Sequence, residues 1–160
     1  MRDLLARQLD IAWSFAREIV IGRVSREAAL WEPSANVITV HESDEGWVAD
    51  WPDEESSPLP DATVGWLLWH IEWWWTDAAR VCAGQAALSP AERLWSGSTD
   101  GLVAAKREWD AILHSHDLDA EVVGLMPTAQ PLWYVAAWVN FELTKDLAEI
   151  NQLLTRRANQ

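Results

Sequence analysis

Apolar positions along the first part of the chain recur at helical spacing. Leu5, Leu9, Ala12, Ala16, Ile19 and Val20 lie three or four residues apart, or one turn on, and Arg7, Asp10, Arg17 and Glu18 fill the other faces. The pattern predicts a first helix over residues 2–28, stopped by Trp31 and Pro33. Residues 32–60 lack this period. Val37, Ile38, Thr39 and Val40 predict a short strand, Trp47, Val48 and Trp51 its return, and Glu42–Gly46 is turn chemistry between them. A small hairpin on a long crossover is expected, followed by an acidic loop from Pro52 to Pro60 that reads as solvated surface.

A second helix is predicted from Asp61 or Thr63, either of which can cap it, to Ala83, with Gly84 ending it. Ser89-Pro90-Ala91-Glu92 predicts a brief helical turn in the connection that follows. A third helix is predicted from Ser98 or Thr99 to His116, carrying Leu102, Val103, Lys106, Trp109 and Leu113. Residues 117–130 read as irregular, with an extended piece at Glu121–Val123. Pro131 suits the first turn of a long last helix whose seam is Leu132, Ala136, Val139, Leu143, Leu147, Ile150 and Leu154. The expected fold is all-α: a single domain over residues 1–160, built as a four-helix bundle with a long crossover carrying a small hairpin between its first two helices.

Composition narrows the function. The 160 residues are 49% hydrophobic and 23% charged, the balance of a globular chain rather than a disordered one. They include 13 Trp against 1 Tyr and 2 Phe, and 25 acidic against 12 basic residues, for a net charge of −13. Phosphate backbones and anionic membranes would repel such a chain, so neither nucleic acid nor membrane is an expected partner. Nine of the acids lie between Glu32 and Asp61, and no Lys or Arg occurs from Glu27 to Ala79. The charge therefore marks the crossover. Arg2, Asp3, Arg7 and Asp10 break up the apolar residues near Met1, which predicts no signal peptide and a cytoplasmic location. One cysteine, Cys82, excludes an internal disulfide and a multi-thiolate zinc cluster. It reads as a small core residue about 18 Å along the helix from His70. No glycine-rich phosphate loop or serine-hydrolase elbow is present.

Candidate chemistry centres on Gly65–Trp75. On a helix, Trp66, Trp69, His70, Trp73 and Asp77 share one broad face, so His70 is either a core histidine among indoles or the anchor of a site. Trp73, Trp74 and Trp75 point to both sides of the helix, and at least one should leave the core to meet the hairpin or a second subunit. Trp66, Trp69, Trp73, Trp109 and Trp138 have core-like spacing, while Trp47 and Trp51 are expected to clamp the crossover to the helices.

The segments Trp69-His70-Ile71-Glu72-Trp73-Trp74 and Pro131-Leu132-Trp133-Tyr134-Val135-Ala136-Ala137-Trp138-Val139-Asn140-Phe141-Glu142-Leu143 resemble the DinB-like, or YfiT-like, superfamily of small helical metal-dependent hydrolases. By helix order the resemblance spans nearly the whole chain. It implies a four-helix bundle, often dimeric, holding a divalent metal by one histidine of the second helix and a His-x-x-x-His pair of the last. Four-residue spacing presents two imidazoles to one ion, and a facing helix supplies the third. The open position of such a site serves hydrolases and thiol-dependent transferases and isomerases.

His70 matches the first ligand position. The preferred register places the other two at Phe141 and Lys145, around Glu142, and a register one residue earlier gives Asn140 and Thr144. Neither supplies an imidazole, and no histidine follows His116. His114 and His116, two apart, point apart on a helix; His41 lies on the hairpin; Glu72, Asp77 and Glu142 are available carboxylates. No metal is therefore expected, and zinc or nickel would bind only if His70 recruited non-histidine partners. The sharper expectation is that the Lys145 ammonium lies where a metal would sit, balanced by Glu142 or Glu149.

The first reading is a DinB-like protein that binds a small molecule or partner in a tryptophan-lined cavity formed by His70, Trp66, Trp69, Trp73, Phe141, Glu142 and Lys145. One alternative is a metal- or thiol-dependent transferase or hydrolase using His70 with unusual partners. The other is an interaction module whose surplus indoles form a homodimer face.

Overall fold

The computed structural model describes residues 1–51 and 59–160. It is mostly helical, with a few small strands. Helix α1 spans Arg2–Ile19 and buries Leu5, Leu9, Ala12 and Ala16. The predicted first helix is shorter than expected, because Gly22 turns the chain at φ +70° and Ser25 caps a separate short helix, α2, over Arg26–Ala29.

The crossover holds strands β1 (Val37–Ile38), β2 (Val40–Ser43), β3 (Gly46–Ala49) and β4 (Asp61–Ala62). The hairpin is present but shifted from its expected register. β2 pairs antiparallel with β3, Ser43 opposite Gly46, whereas Val37 and Ile38 pair in parallel with Asp61 and Ala62. Residues 52–58 of the predicted acidic loop lie outside the described residues.

Helix α3 spans Val64–Cys82. Thr63 is its cap, accepting a hydrogen bond from the Trp66 backbone at 3.2 Å, and Gly84 follows its end at φ +75°. A 3-10 turn at Pro90–Glu92 carries the Ser89/Glu92 capping box, and α4 runs over Asp100–Ser115. Two further strands, β5 (Glu121–Val122) and β6 (Gln130–Pro131), pair antiparallel and deliver the chain to α5, Leu132–Ala158. Pro131 is thus the residue before the last helix, not part of its first turn.

Side-chain contacts fix the helix directions. Asn140 of α5 donates to the Leu5 carbonyl of α1 at 3.0 Å, and Ile19 and Leu154 line one cleft at the other end, so these helices run parallel. His70 faces Asp146 and Trp74 faces Trp138, which makes α3 antiparallel to α5. Arg2 reaches the Leu113 and His116 carbonyls at the end of α4, and Lys106 approaches Asp10 at 3.5 Å, so α4 is antiparallel to α1. Each of α1, α3, α4 and α5 therefore packs on two of the others.

The core between them contains Trp69, Trp75 and Trp109, all fully buried. Burying an indole removes roughly 150–250 Å² from water, about 4–6 kcal/mol at ~25 cal/mol per Å² before entropy is counted. Among the described residues, no helix is long and apolar enough to cross a membrane.

Candidate functional site at His70

α3 is apolar around most of its circumference, and three of its five indoles donate to the backbone around them, while Trp74 and Trp75 Nε1 are buried without a partner among the described residues. Trp66 Nε1 donates to the Asp50 carbonyl at 2.7 Å, Trp69 Nε1 to the Arg93 carbonyl at 2.8 Å and Trp73 Nε1 to the Leu88 carbonyl at 3.1 Å. Three side chains of one helix thus pin the hairpin end, the segment before α4 and the connection after α3. Their faces stack as well: Trp69 on Trp73 at 5.6 Å and 7°, Trp66 on His70 at 5.0 Å and 12°.

Trp51 completes the group edge-on, 5.1 Å from Trp73 and 6.2 Å from Trp69, and stays half exposed. Trp47 meets Trp95 in the same way at 5.7 Å, so Trp51 clamps the crossover onto α3 while Trp47 clamps it onto the connection before α4. Trp69 is fully buried and Trp66 nearly so. These two fill space and do not line an open cavity. Of the consecutive Trp73, Trp74 and Trp75, only Trp73 leaves the core, and it meets the crossover through Trp51.

The remaining part of the predicted site lies where α3 faces α5. His70 Nδ1 is 3.0 Å from Asp146 Oδ2, a carboxylate that is 1% exposed. A carboxylate accepts, so Nδ1 carries the hydrogen and Nε2 is the ring's free nitrogen. Lys145 Nζ pairs with Glu142 and lies 3.6 Å from Asp146 Oδ1. Burial alone would lower the Lys145 pKa; the Glu142 and Asp146 carboxylates outweigh it and hold the ammonium above its ordinary value. Glu149, one turn further on, is pushed upward by burial and by the Asp146 and Asp61 charges, against the opposing pull of Lys145 and His70.

The residues of α5 that converge on this region are therefore Glu142, Lys145, Asp146 and Glu149, spaced as one helix face. Phe141 is not among them. It is 64% exposed on the outside of the molecule, in a cleft between α1 and α5. The facing register is Glu142/Asp146, one residue later than the preferred one. Asp146 is the residue that sequence reasoning missed. A carboxylate four residues after Glu142 was visible, but only the antiparallel register of α3 on α5 sets it against His70.

The other candidates are elsewhere. Glu72 points away, fully buried against Ser96 Oγ at 2.9 Å and Arg93 at 3.8 Å. Asp77 is buried and accepts from the Leu88 backbone at 3.0 Å; burial raises its pKa. His41 sits 3.5 Å from Asp50 on the exposed hairpin, and His114 lies on α4 with Nδ1 2.6 Å from the Asp110 carbonyl. The Cys82 thiol is pushed up to about 11 by burial, which removes the thiolate a nucleophile needs.

A three-histidine metal centre needs converging donors with free lone pairs. Here the single imidazole offers one donor, Nε2, and the two carboxylates that could join it face an ammonium. Among the described residues, no three His, Cys, Asp or Glu side chains are grouped to hold an ion. The residues present do not fit the metal that the resemblance implies. Set against family models, curated proteins and solved structures, the chain matches none of them.

Proposed function

We propose that the chain is a DinB-like four-helix bundle that binds a small molecule beside His70 without a metal, the Lys145 ammonium taking the place of the ion. The observation that carries this reading is the chain of contacts Glu142–Lys145–Asp146–His70, which supplies positive charge between carboxylates where a bundle of this kind would hold a cation. The pairwise packing of α1, α3, α4 and α5, with the long crossover after α1, supports the bundle. The ligand surface is smaller than the full indole cluster. It comprises the free nitrogen of His70, the exposed side of Trp51 and the half-buried Trp73. A molecule suited to it has a flat apolar part for the indoles and a hydrogen-bond donor for His70.

Metal analysis of protein purified without added metal, together with tryptophan-fluorescence titration against small aromatic hydrogen-bond donors, tests the proposal. The expected result is far less than one equivalent of any transition metal, and a saturable quench that His70→Ala abolishes. About one equivalent of zinc or nickel, lost in His70→Ala, would overturn it.

The His70–Asp146 pair favours one second reading, an enzyme that uses His70 as acid or base with Asp146 holding its tautomer. Turnover of a thiol or ester substrate that disappears in a folded Asp146→Asn variant would select that reading over simple binding.

A further inference from the structure

Away from His70, the outer side of the α1–α5 pair carries two consecutive clefts of about 410 and 370 Å³ that share Ala12, Phe15 and Thr144. Together they form one groove along the two parallel helices, and its described lining residues come from α1 and α5. The walls are apolar. Ile11 is 63% exposed, Phe15 56% and Phe141 64%, with Ala137 and Ala148 on the α5 side. A concave, mostly apolar surface of this volume with a few fixed polar groups is the usual form of a small-molecule site.

The polar atoms of the groove select the ligand. Asn140 is 5% exposed and lines the smaller cleft. Its Nδ2 donates to the Leu5 carbonyl at 3.0 Å, which fixes the amide's orientation and leaves Oδ1 to the cleft. That oxygen is buried with no hydrogen-bond partner among the described residues. Native structures rarely leave a buried acceptor without a donor, because its lost hydration goes uncompensated. Thr144 beside it commits its hydroxyl proton to the Asn140 carbonyl at 2.8 Å and so presents lone pairs as well. At the other end, Glu18 alone is charged among the residues lining the two clefts. It pairs with no base among the described residues, Arg23 of the next cleft included. The amides of Gln8, Asn151 and Gln152 donate or accept and do not discriminate.

We propose that this groove binds an elongated apolar amine with a hydroxyl at its far end, the ammonium on Glu18, the stem over Phe15 and the hydroxyl donating to Asn140 Oδ1. Asn140 meets Leu5, and Glu18 lies thirteen residues further along α1, about 20 Å at 1.5 Å per residue. An extended ω-aminododecanol with a hydrogen bond at each end has that reach. Glu18 refuses a carboxylate or phosphate head, and the net charge of −13 draws cations to the surface. The apolar walls alone would suit many occupants; the buried acceptor at one end and the lone acid at the other select this one. The groove uses a different face of α5 from His70 and does not rest on the ligand reading there.

Isothermal titration calorimetry with ω-aminododecanol below its micellar concentration tests the proposal, with circular dichroism to check the folding of each variant. The wild type is expected to take up one equivalent with a Kd of about 10–100 μM. Dodecylamine, which lacks the hydroxyl, should bind about fivefold more weakly. ω-Hydroxydodecanoate, which keeps the hydroxyl and reverses the charge, should bind at least about tenfold more weakly. Glu18→Gln should erase the preference for amine over carboxylate, and Asn140→Leu the preference for the hydroxyl. Heat that never saturates, or several equivalents bound, marks detergent-like adsorption and overturns the proposal. Equal binding of all the probes to the wild type overturns it too, a readout that stands even where Asn140→Leu fails to fold. Sedimentation velocity showing a dimer that takes up no ω-aminododecanol gives the groove to a second copy and overturns it as well.

Discussion

Glu72 is a carboxylate with no exposure at all, on a helix of indoles, and its environment is built around its proton. Burial pushes its pKa up to about 7, against the lowering effects of the Ser96 hydroxyl, the Arg93 charge and the Ser96 backbone, with the Asp100 charge adding to the rise. Because the folded value lies above the ordinary 4.5, the folded state binds the proton more tightly than the unfolded chain. Stability from this group is therefore full below about pH 4.5, falls as pH rises toward 7, and stays reduced above it. A Glu72→Gln variant has no charge to bury and retains an acceptor for Ser96. It is expected to gain on the wild type by about 3 kcal/mol between pH 4.5 and pH 8, read as the difference in urea unfolding free energies at the two values. A constant difference across that range would show that the buried carboxyl does not titrate there. At this scale the sequence marked Glu72 as an available carboxylate and could not say on which side of α3 it was spent. His70 was legible from its indole neighbours, whereas its partner Asp146, 76 residues away in the chain, was not, since that pairing depends on the register between two helices.

Among the elements, α4 shows how a side chain of one helix sets the start of another. Gly101 is in its first turn, and a Cβ there would overlap the Glu72 carboxyl. Helix propensity alone would make Gly101→Ala stabilising by up to about 1 kcal/mol. The approach of Glu72 reverses the sign, so Gly101→Ala is expected to destabilise by about 1–3 kcal/mol, measured by chemical denaturation. A stabilised variant would mean that α4 starts further from α3 than described. The element boundaries that were legible are the ones written in local chemistry: Thr63 capping α3, Gly84 after its end, the Ser89/Glu92 box, and His116 closing α4. The boundaries that were not legible depend on distant partners. Val37–Ile38 has the residues of a hairpin strand, yet it pairs in parallel with Asp61–Ala62 across the crossover, and β2 starts three residues later. The first helix ends early because Gly22 takes a positive φ. Nothing in the apolar period, which runs on through Val20, announces that turn.

For the whole molecule the governing quantity is the charge of −13 and how little of it is neutralised by contact. The stretch from Glu27 to Ala79 has no Lys or Arg, so its acids depend on bases brought from outside: Arg26 to Glu42 of the crossover at 3.0 Å, Arg157 to Glu27 of α2 at 2.6 Å, and Arg93 to Glu72 of α3. The first two pairs are largely exposed, and such pairs contribute little. Repulsion among the remaining acids acts over a longer distance and opposes the compact state. Salt therefore screens more repulsion than attraction. Raising sodium chloride from about 0.01 M to 0.1 M shortens the screening length from about 30 Å to about 10 Å. The expected gain is about 1 kcal/mol, or 2–4 °C in Tm for a domain of this size. Chloride is the right anion because sulfate stabilises most proteins by exclusion from their surface, whatever their charge. A fall in Tm would mean that the few ion pairs outweigh the long-range field, and that the acids of the crossover are neutralised by contacts closer than those of Arg26 and Arg157.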